Sequence, residues 1–226
     1  MTAVRVIAID GPAASGKSST ARAVAEALGL VHIDSGALYR TAAWLGLRGE
    51  AEGEPALLRA AEAANVSLEP AGITLAVLVD GDLAEPAIRA PAVTARVSAV
   101  AAMPGVRRWV DRLLREAVER HGGAVLDGRD IGTVVFPDAA LKVFLTASPD
   151  ARARRRLSQD GQGADPPAVA AEADRLAERD RLDAGRPVAP LRQAADALAL
   201  DTTAIGFADQ VATIVAWAKD RGLSAR

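Results

Sequence analysis

The sequence contains no cysteine and only two histidines, His32 and His121. The first absence excludes disulfides, thiolate catalysis and zinc–sulfur or iron–sulfur centres, and the second excludes a three-histidine metal site. Aromatic residues make up only 3% of the chain, and no run of eighteen apolar residues occurs, so no membrane-spanning helix is expected. The opening MTAVRVIAID lacks a basic region followed by a long apolar one, so no signal peptide is expected and the default location is the cytoplasm. Charge is nearly balanced at -2, which argues against a dedicated nucleic-acid or membrane surface. Half of the 226 residues are apolar, enough for a sizeable core.

Within that frame, strand and helix signals alternate. Val4 to Asp10 is a β-branched run bounded by Gly11, and it reads as a buried strand. A glycine loop follows, then a helix with Ala21, Val24, Ala25 and Leu28 at helical spacing and Gly29 placed to end it. The strand VHID and a helix through Leu38, Ala42 and Leu45 come next, so the sheet should be parallel and covered on both faces. From Val66 to Pro86 the pattern changes to short alternating runs broken by Pro-Ala-Gly and Asp-Gly, which predicts a small antiparallel inserted lobe. Helices over about Ala92 to Ala102 and Val106 to Arg120 follow, and the strands Ala124 to Gly128, Leu141 to Ala147 and ALALD resume the rhythm. Ser148 is the expected N-cap of the next helix, with Pro149 at its first position. DGQGADPP reads as a mobile loop, with a helix over about Val169 to Arg181 beyond it and a last helix from Phe207 to Arg221 ending at Gly222.

Gly11 to Ser18 fits G-x-x-x-x-G-K-[ST], between a strand and a helix as its mechanism requires. Backbone N–H groups and the helix N-terminus can cradle phosphates, Lys17 can reach the β- and γ-phosphates, and the Ser18 hydroxyl can ligate Mg²⁺. The loop alone does not name an activity, since switches, motors and kinases share it. Two further stretches bear on the acceptor. In HIDSGALYR, Asp34 ends a strand, and Ser35 and Tyr39 share a helix face with Arg40 beside them; an anionic substrate suits this, but so does a solvated helix start. In LDGRDIGTVVFPDA, Asp127, Arg129 and Asp130 follow a buried strand, where unpaired charge is costly; Arg129 could clamp a phosphate and a carboxylate could accept from an exocyclic amine or orient Mg²⁺, and a solvated loop also remains open.

Taken together, IDGPAASGKSST, DSGALYR, DGRDIGTVVFPDA, RARRRL and ERDRLDAGRPVAPL resemble the bacterial cytidylate kinases of the nucleoside monophosphate kinase superfamily, over about Val6 to Asp201. The resemblance implies an α/β P-loop three-layer fold with a central parallel five-stranded sheet, an inserted small antiparallel lobe and a mobile lid. Its core would span about residues 1–34, 122–150 and 190–226, its monophosphate-binding region about 35–121 and its lid about 151–189. It implies phosphorylation of CMP and dCMP with ATP and Mg²⁺ by a monomer. ATP would lie against Gly11, Pro12, Ala13, Ala14, Ser15, Gly16, Lys17, Ser18 and Ser19, with Arg154 and Arg156 from the lid and Mg²⁺ on Ser18. The acceptor phosphate would meet Arg40, Arg129 and Arg186, with Ser35 and Tyr39 nearby; cytosine would meet Ser98, Arg107 and Asp130; the sugar hydroxyls would meet Arg179 and Asp183. Lys17, Arg129, Arg179 and Arg186 would absorb the charge of transfer. On residues alone, Arg107 reads as a solvated position on a packing helix, and Arg179 with Asp183 as an i, i+4 salt bridge. A kinase for another acceptor such as UMP is the nearest alternative. A GTPase-like switch lacks its N-K-x-D motif here.

Overall fold

A computed structural model describes residues 5–223; Val4, where the first predicted strand was expected to begin, lies outside the described residues. The five expected parallel strands are β1 (Arg5–Asp10), β2 (Val31–Asp34), β6 (Gly123–Gly128), β7 (Leu141–Thr146) and β8 (Leu198–Asp201), in the order β2-β6-β1-β7-β8. β1 lies between β6 and β7, in register Asp10 with Gly128 and Phe144, which explains its unbroken apolar run. Its side chains still alternate: Val6 and Ala8 join one core cluster, Ile7 and Ile9 the other.

The antiparallel element is present as β3 (Val66–Ala71), β4 (Thr74–Val79) and the short β5 (Asp82–Leu83). Asp80 (φ 54°) and Gly81 (φ 90°) form the two-residue turn between β4 and β5, as Asp-Gly predicts. These strands do not form a lobe apart. β4 pairs in parallel with β2 at His32 and Thr74, so the hairpin extends the central sheet to eight strands and covers an otherwise open edge.

The helices complete three layers. On one face lie α2 (Ser35–Arg48), α3 (Gly53–Ala63), α4 (Pro91–Val100) and α5 (Pro104–His121); on the other lie α1 (Lys17–Leu28) and α8 (Phe207–Lys219). α3 carries no expectation from sequence, because its buried stripe is only Leu57 and Ala61. α6 (Pro149–Gln159) is capped as expected, Ser148 Oγ accepting from Ala151 N at 3.3 Å. α7 (Pro166–Ala184) starts earlier than expected, because Asp165 caps it through Ala168 N at 2.9 Å and Pro166 occupies the first turn, where no N–H is needed. α6 and α7 pack on each other and on Ala13 through Ala153, Leu157, Val169 and Leu176. Among the described residues no helix is long and apolar enough to cross a membrane.

Candidate active site

All five parallel strands end on one edge, and the glycine loop, the start of α2, the segment after β6 and the inner face of α7 converge there around a cleft of about 910 Å³. The loop's shape is fixed by two residues that only glycine suits. Gly11 (φ +149°) lies so close to β7 that a Cβ would run into the Leu145 carbonyl oxygen, and Gly16 (φ +93°) precedes α1. Lys17 is buried and donates to Pro12 O at 2.5 Å and Ser15 Oγ at 3.3 Å. Burial, then Arg129, push its ammonium well below the usual lysine range, and an anion in the loop would oppose both effects.

Of the expected nucleotide-binding residues, Ala13, Ala14, Gly16, Lys17, Ser18 and Ser19 line the cleft, whereas Gly11, Pro12 and Ser15 lie behind them as scaffold. The lid arginines divide by helical position. Arg156 lines the cleft and pairs with Asp160 at 3.1 Å. Arg152 donates to Ala13 O at 3.0 Å and to Asp180, and Arg155 to Ser15 O at 3.3 Å and Thr202 O at 2.6 Å, so both brace the loop from beneath. Arg154, expected at ATP, does not line the cleft; it is exposed and donates to Ala164 O at 3.3 Å. Its side of α6 is set by spacing: 152, 155 and 156 share a face, which leaves 154 off it.

On the acceptor side, Ser35, Tyr39, Arg40, Ser98, Arg129, Asp130, Arg179, Asp183 and Arg186 all line the same cleft. Arg107 does not. It lies buried behind the wall, bonded to Asp130 and to Ala101 O at 3.0 Å, its guanidinium 5.4 Å from the centre of the Tyr39 ring; it is not the solvated arginine its helix position suggests. Asp183 accepts from Arg129 Nε at 3.0 Å, and no Arg179–Asp183 ion pair occurs among the described residues. Three buried polar atoms on this wall have no hydrogen-bond partner among the described residues: Tyr39 Oη, Arg179 Nε and Arg186 Nη2, the last 4.0 Å from Asp183 Oδ1. Such atoms are costly unless a ligand satisfies them. Burial together with neighbouring guanidinium groups lowers Arg40 to about 10, and burial lowers Arg179 and Arg186. Cations so placed favour a multiply charged anion.

Several site residues carry no expectation from sequence. Asp10 is buried and accepts from Ile131 N at 2.9 Å and Gly132 N at 2.7 Å, which folds Ile131–Val135 into one π-helical turn and sets Arg129 and Asp130 at its head. Burial pushes the Asp10 carboxyl up to about 6, against those two N–H groups. Burial likewise raises Asp130, against Arg107. Asp180 accepts from Ala13 N at 2.9 Å and so ties α7 to the glycine loop. Arg89 lines the cleft mouth, bonded to Asp34 at 2.9 Å and Glu85 at 2.7 Å. Asp127, noticed in sequence without a settled role, accepts from Ser18 Oγ at 2.6 Å. This hydroxyl and carboxylate form a hard oxygen pair that suits Mg²⁺ completed by water and phosphate. Among the described residues no group of three or more His, Cys, Asp or Glu could hold a metal unaided.

The cleft therefore has a phosphate cradle at one end and a pole of buried arginines at the other, a layout for moving a phosphoryl group between two anions. Comparison with known proteins agrees. The sequence profile of a family described as cytidylate kinase matches residues 7–220. The cytidylate kinase of Streptomyces griseus is 43% identical over 225 residues, covering 97% of this chain and 95% of that protein. The bifunctional pantoate ligase/cytidylate kinase of a Synechocystis species is 47% identical over 218 residues, covering 93% of this chain; the chain spans 42% of the length of that relative. A crystal structure of an uncharacterized protein from Eubacterium ventriosum superposes with a TM-score of 0.52 at 11% identity, covering 95% of this chain and 98% of that one, which bears on the fold alone.

Proposed function

This chain belongs to the cytidylate kinase family, and we propose that it transfers the γ-phosphoryl group of ATP to CMP and dCMP. The observation that carries this reading is the confinement of Lys17, Arg40, Arg129, Arg179 and Arg186 to one cleft, with buried polar atoms on its acceptor wall that lack a hydrogen bond among the described residues. ATP lies along the glycine loop with Lys17 at its β- and γ-phosphates, and the monophosphate lies against the arginines. An acceptor phosphate oxygen attacks the γ-phosphorus in line; the new P–O bond forms as the bond to the β-phosphate oxygen breaks, and ADP leaves. The attacking oxygen is already largely deprotonated at neutral pH, since a phosphate second pKa is about 6, so no general base is required. Lys17 and the arginines stabilise charge that concentrates between the two phosphates, and the closed cleft keeps water from competing. Ser18 and Asp127 would hold Mg²⁺, which when bound supplies neutralisation of the β- and γ-oxygens.

Asp130, with Arg107 fixed behind it, accepts from the exocyclic amine of cytosine alongside Ser98, and Asp183 and Arg179 take the sugar hydroxyls. The division into a core (about 1–34, 122–150, 190–226), a monophosphate-binding region (about 35–121) and a closing lid (about 151–189) belongs to the same proposal, as do a monomeric state and a cytoplasmic location. A coupled assay of ADP release with MgATP and CMP, dCMP, UMP, AMP, GMP or shikimate tests it. Turnover strongest with CMP and dCMP is expected. Turnover with another acceptor alone would keep the transfer chemistry and overturn the roles of Ser98, Arg107 and Asp130.

A further inference from the structure

His32 sits at the seam where the inserted hairpin joins the parallel sheet. Its backbone N–H donates to Ile73 O at 2.8 Å, and it is the β2 residue paired with β4, opposite Thr74. Its buried ring spans two elements. Nδ1 lies 3.0 Å from Thr74 Oγ1, and Nε2 lies 2.8 Å from Asp127 Oδ1. A carboxylate only accepts, so Nε2 carries hydrogen toward Asp127, and in the neutral ring Nδ1 accepts from the Thr74 hydroxyl. The other Asp127 oxygen accepts from Ser18 Oγ at 2.6 Å. One line of hydrogen bonds thus runs from the hairpin through Thr74, His32 and Asp127 to the hydroxyl of the phosphate loop.

An apolar residue would fill this place between Val31 and Ile33 without the desolvation cost of an imidazole. The ring is satisfied at both nitrogens and meets the carboxylate oxygen that Ser18 leaves free. A carboxylate bonded on one oxygen can turn about its side chain; bonded on both, it is held. We propose that His32, itself held by Thr74, is a positioning residue that fixes Asp127 on Ser18 and thereby sets the affinity of the site for the metal–nucleotide complex. The inference rests on the reading above that Ser18 and Asp127 hold Mg²⁺.

The test is ADP binding by titration calorimetry, with EDTA and across a range of Mg²⁺ concentrations, for the full chain and for His32→Leu, His32→Gln and Thr74→Val. His32→Leu should raise the half-saturating Mg²⁺ concentration about tenfold or more, the usual scale for losing an outer-shell partner. Thr74→Val should raise it less, and His32→Gln, which keeps an N–H donor, should recover part of the loss. ADP affinity in EDTA should stay within about twofold of the parent in every variant, since the metal-free contacts are untouched. An unchanged Mg²⁺ requirement in folded variants would overturn the proposal, as would an equal loss of ADP affinity with and without metal. Should His32→Leu fail to fold, Thr74→Val, which removes one hydroxyl at nearly constant volume, decides the matter. A parent chain whose ADP affinity gains nothing from Mg²⁺ would instead refute the assignment of Ser18 and Asp127.

Discussion

Replacing Asp130 separates its structural role from its proposed reading of the base. The carboxylate is 4% exposed and faces Arg107, which is 3% exposed and otherwise bonds only Ala101 O. Asp130→Ala leaves that guanidinium buried without its counter-charge, a loss of about 3–5 kcal/mol of stability. Asp130→Asn keeps an oxygen of the same shape for Arg107 and should cost only about 1–2 kcal/mol, the difference between a charged and a neutral acceptor. On activity the asparagine variant is the informative one. A charge-assisted bond from the cytosine amine to Asp130 is worth about 1.5–3 kcal/mol, so kcat/KM for CMP should fall about ten- to a hundredfold. Uracil presents a carbonyl in place of that amine, and the amide of the variant can donate to it, so kcat/KM for UMP should hold or rise. The assay is coupled ADP release with each acceptor, beside urea unfolding of both variants. Equal loss for CMP and UMP in a stable Asp130→Asn protein would refute the base-reading role, and an Asp130→Ala protein as stable as the parent would refute the buried-pair argument.

Lys17→Ala should leave the fold intact, because the ammonium is buried at a cost, while kcat falls about 10²- to 10³-fold, the scale of one lost charge-stabilising donor; a folded variant with near-parent turnover would remove Lys17 from the chemistry. Gly11→Ala should fail to give stable protein, since the Cβ meets the Leu145 carbonyl, whereas Gly161→Ala, also at positive φ but with no atom within 4 Å, should cost only about 1 kcal/mol, read from melting temperatures. Asp10 should impose a pH slope on stability. Its folded carboxyl titrates near 6 against 3.8 for the ordinary group, so the folded state binds the extra proton, and its contribution is full below about pH 4 and lost as pH rises through about 6. The stability gap between parent and Asp10→Asn should therefore be larger at pH 4.5 than at pH 7, by about 2 kcal/mol in urea unfolding; a gap that is flat or widens with pH would show that burial does not set this group.

What could be read from sequence is what is local. The phosphate loop is legible because its turn, its lysine and its hydroxyl all lie within eight residues of one strand–helix joint, from Gly11 to Ser18. The residues that aim the site are not local. Asp10 looks like the end of a buried strand; its two acceptor bonds go to N–H groups 121 and 122 residues away, and only the pairing of β1 with β6 brings them together. His32 looks like a lone polar residue in a short strand until β4 docks on it from the insertion, because the hairpin's alternation does not say which edge receives it. Arg107 reads as solvated on its own helix, and the buried carboxylate that claims it comes from the loop after β6. Arg154 is the opposite case. Its exclusion from the cleft follows from helix geometry already present in RARRRL: once Arg152, Arg155 and Arg156 are committed to one face, Arg154, two residues on from Arg152, falls on the opposite side. Long-range pairing thus hides the supporting residues of this site, while its phosphate-facing residues announce themselves, because a phosphate is held by backbone turns and single cations that a short stretch of chain can supply.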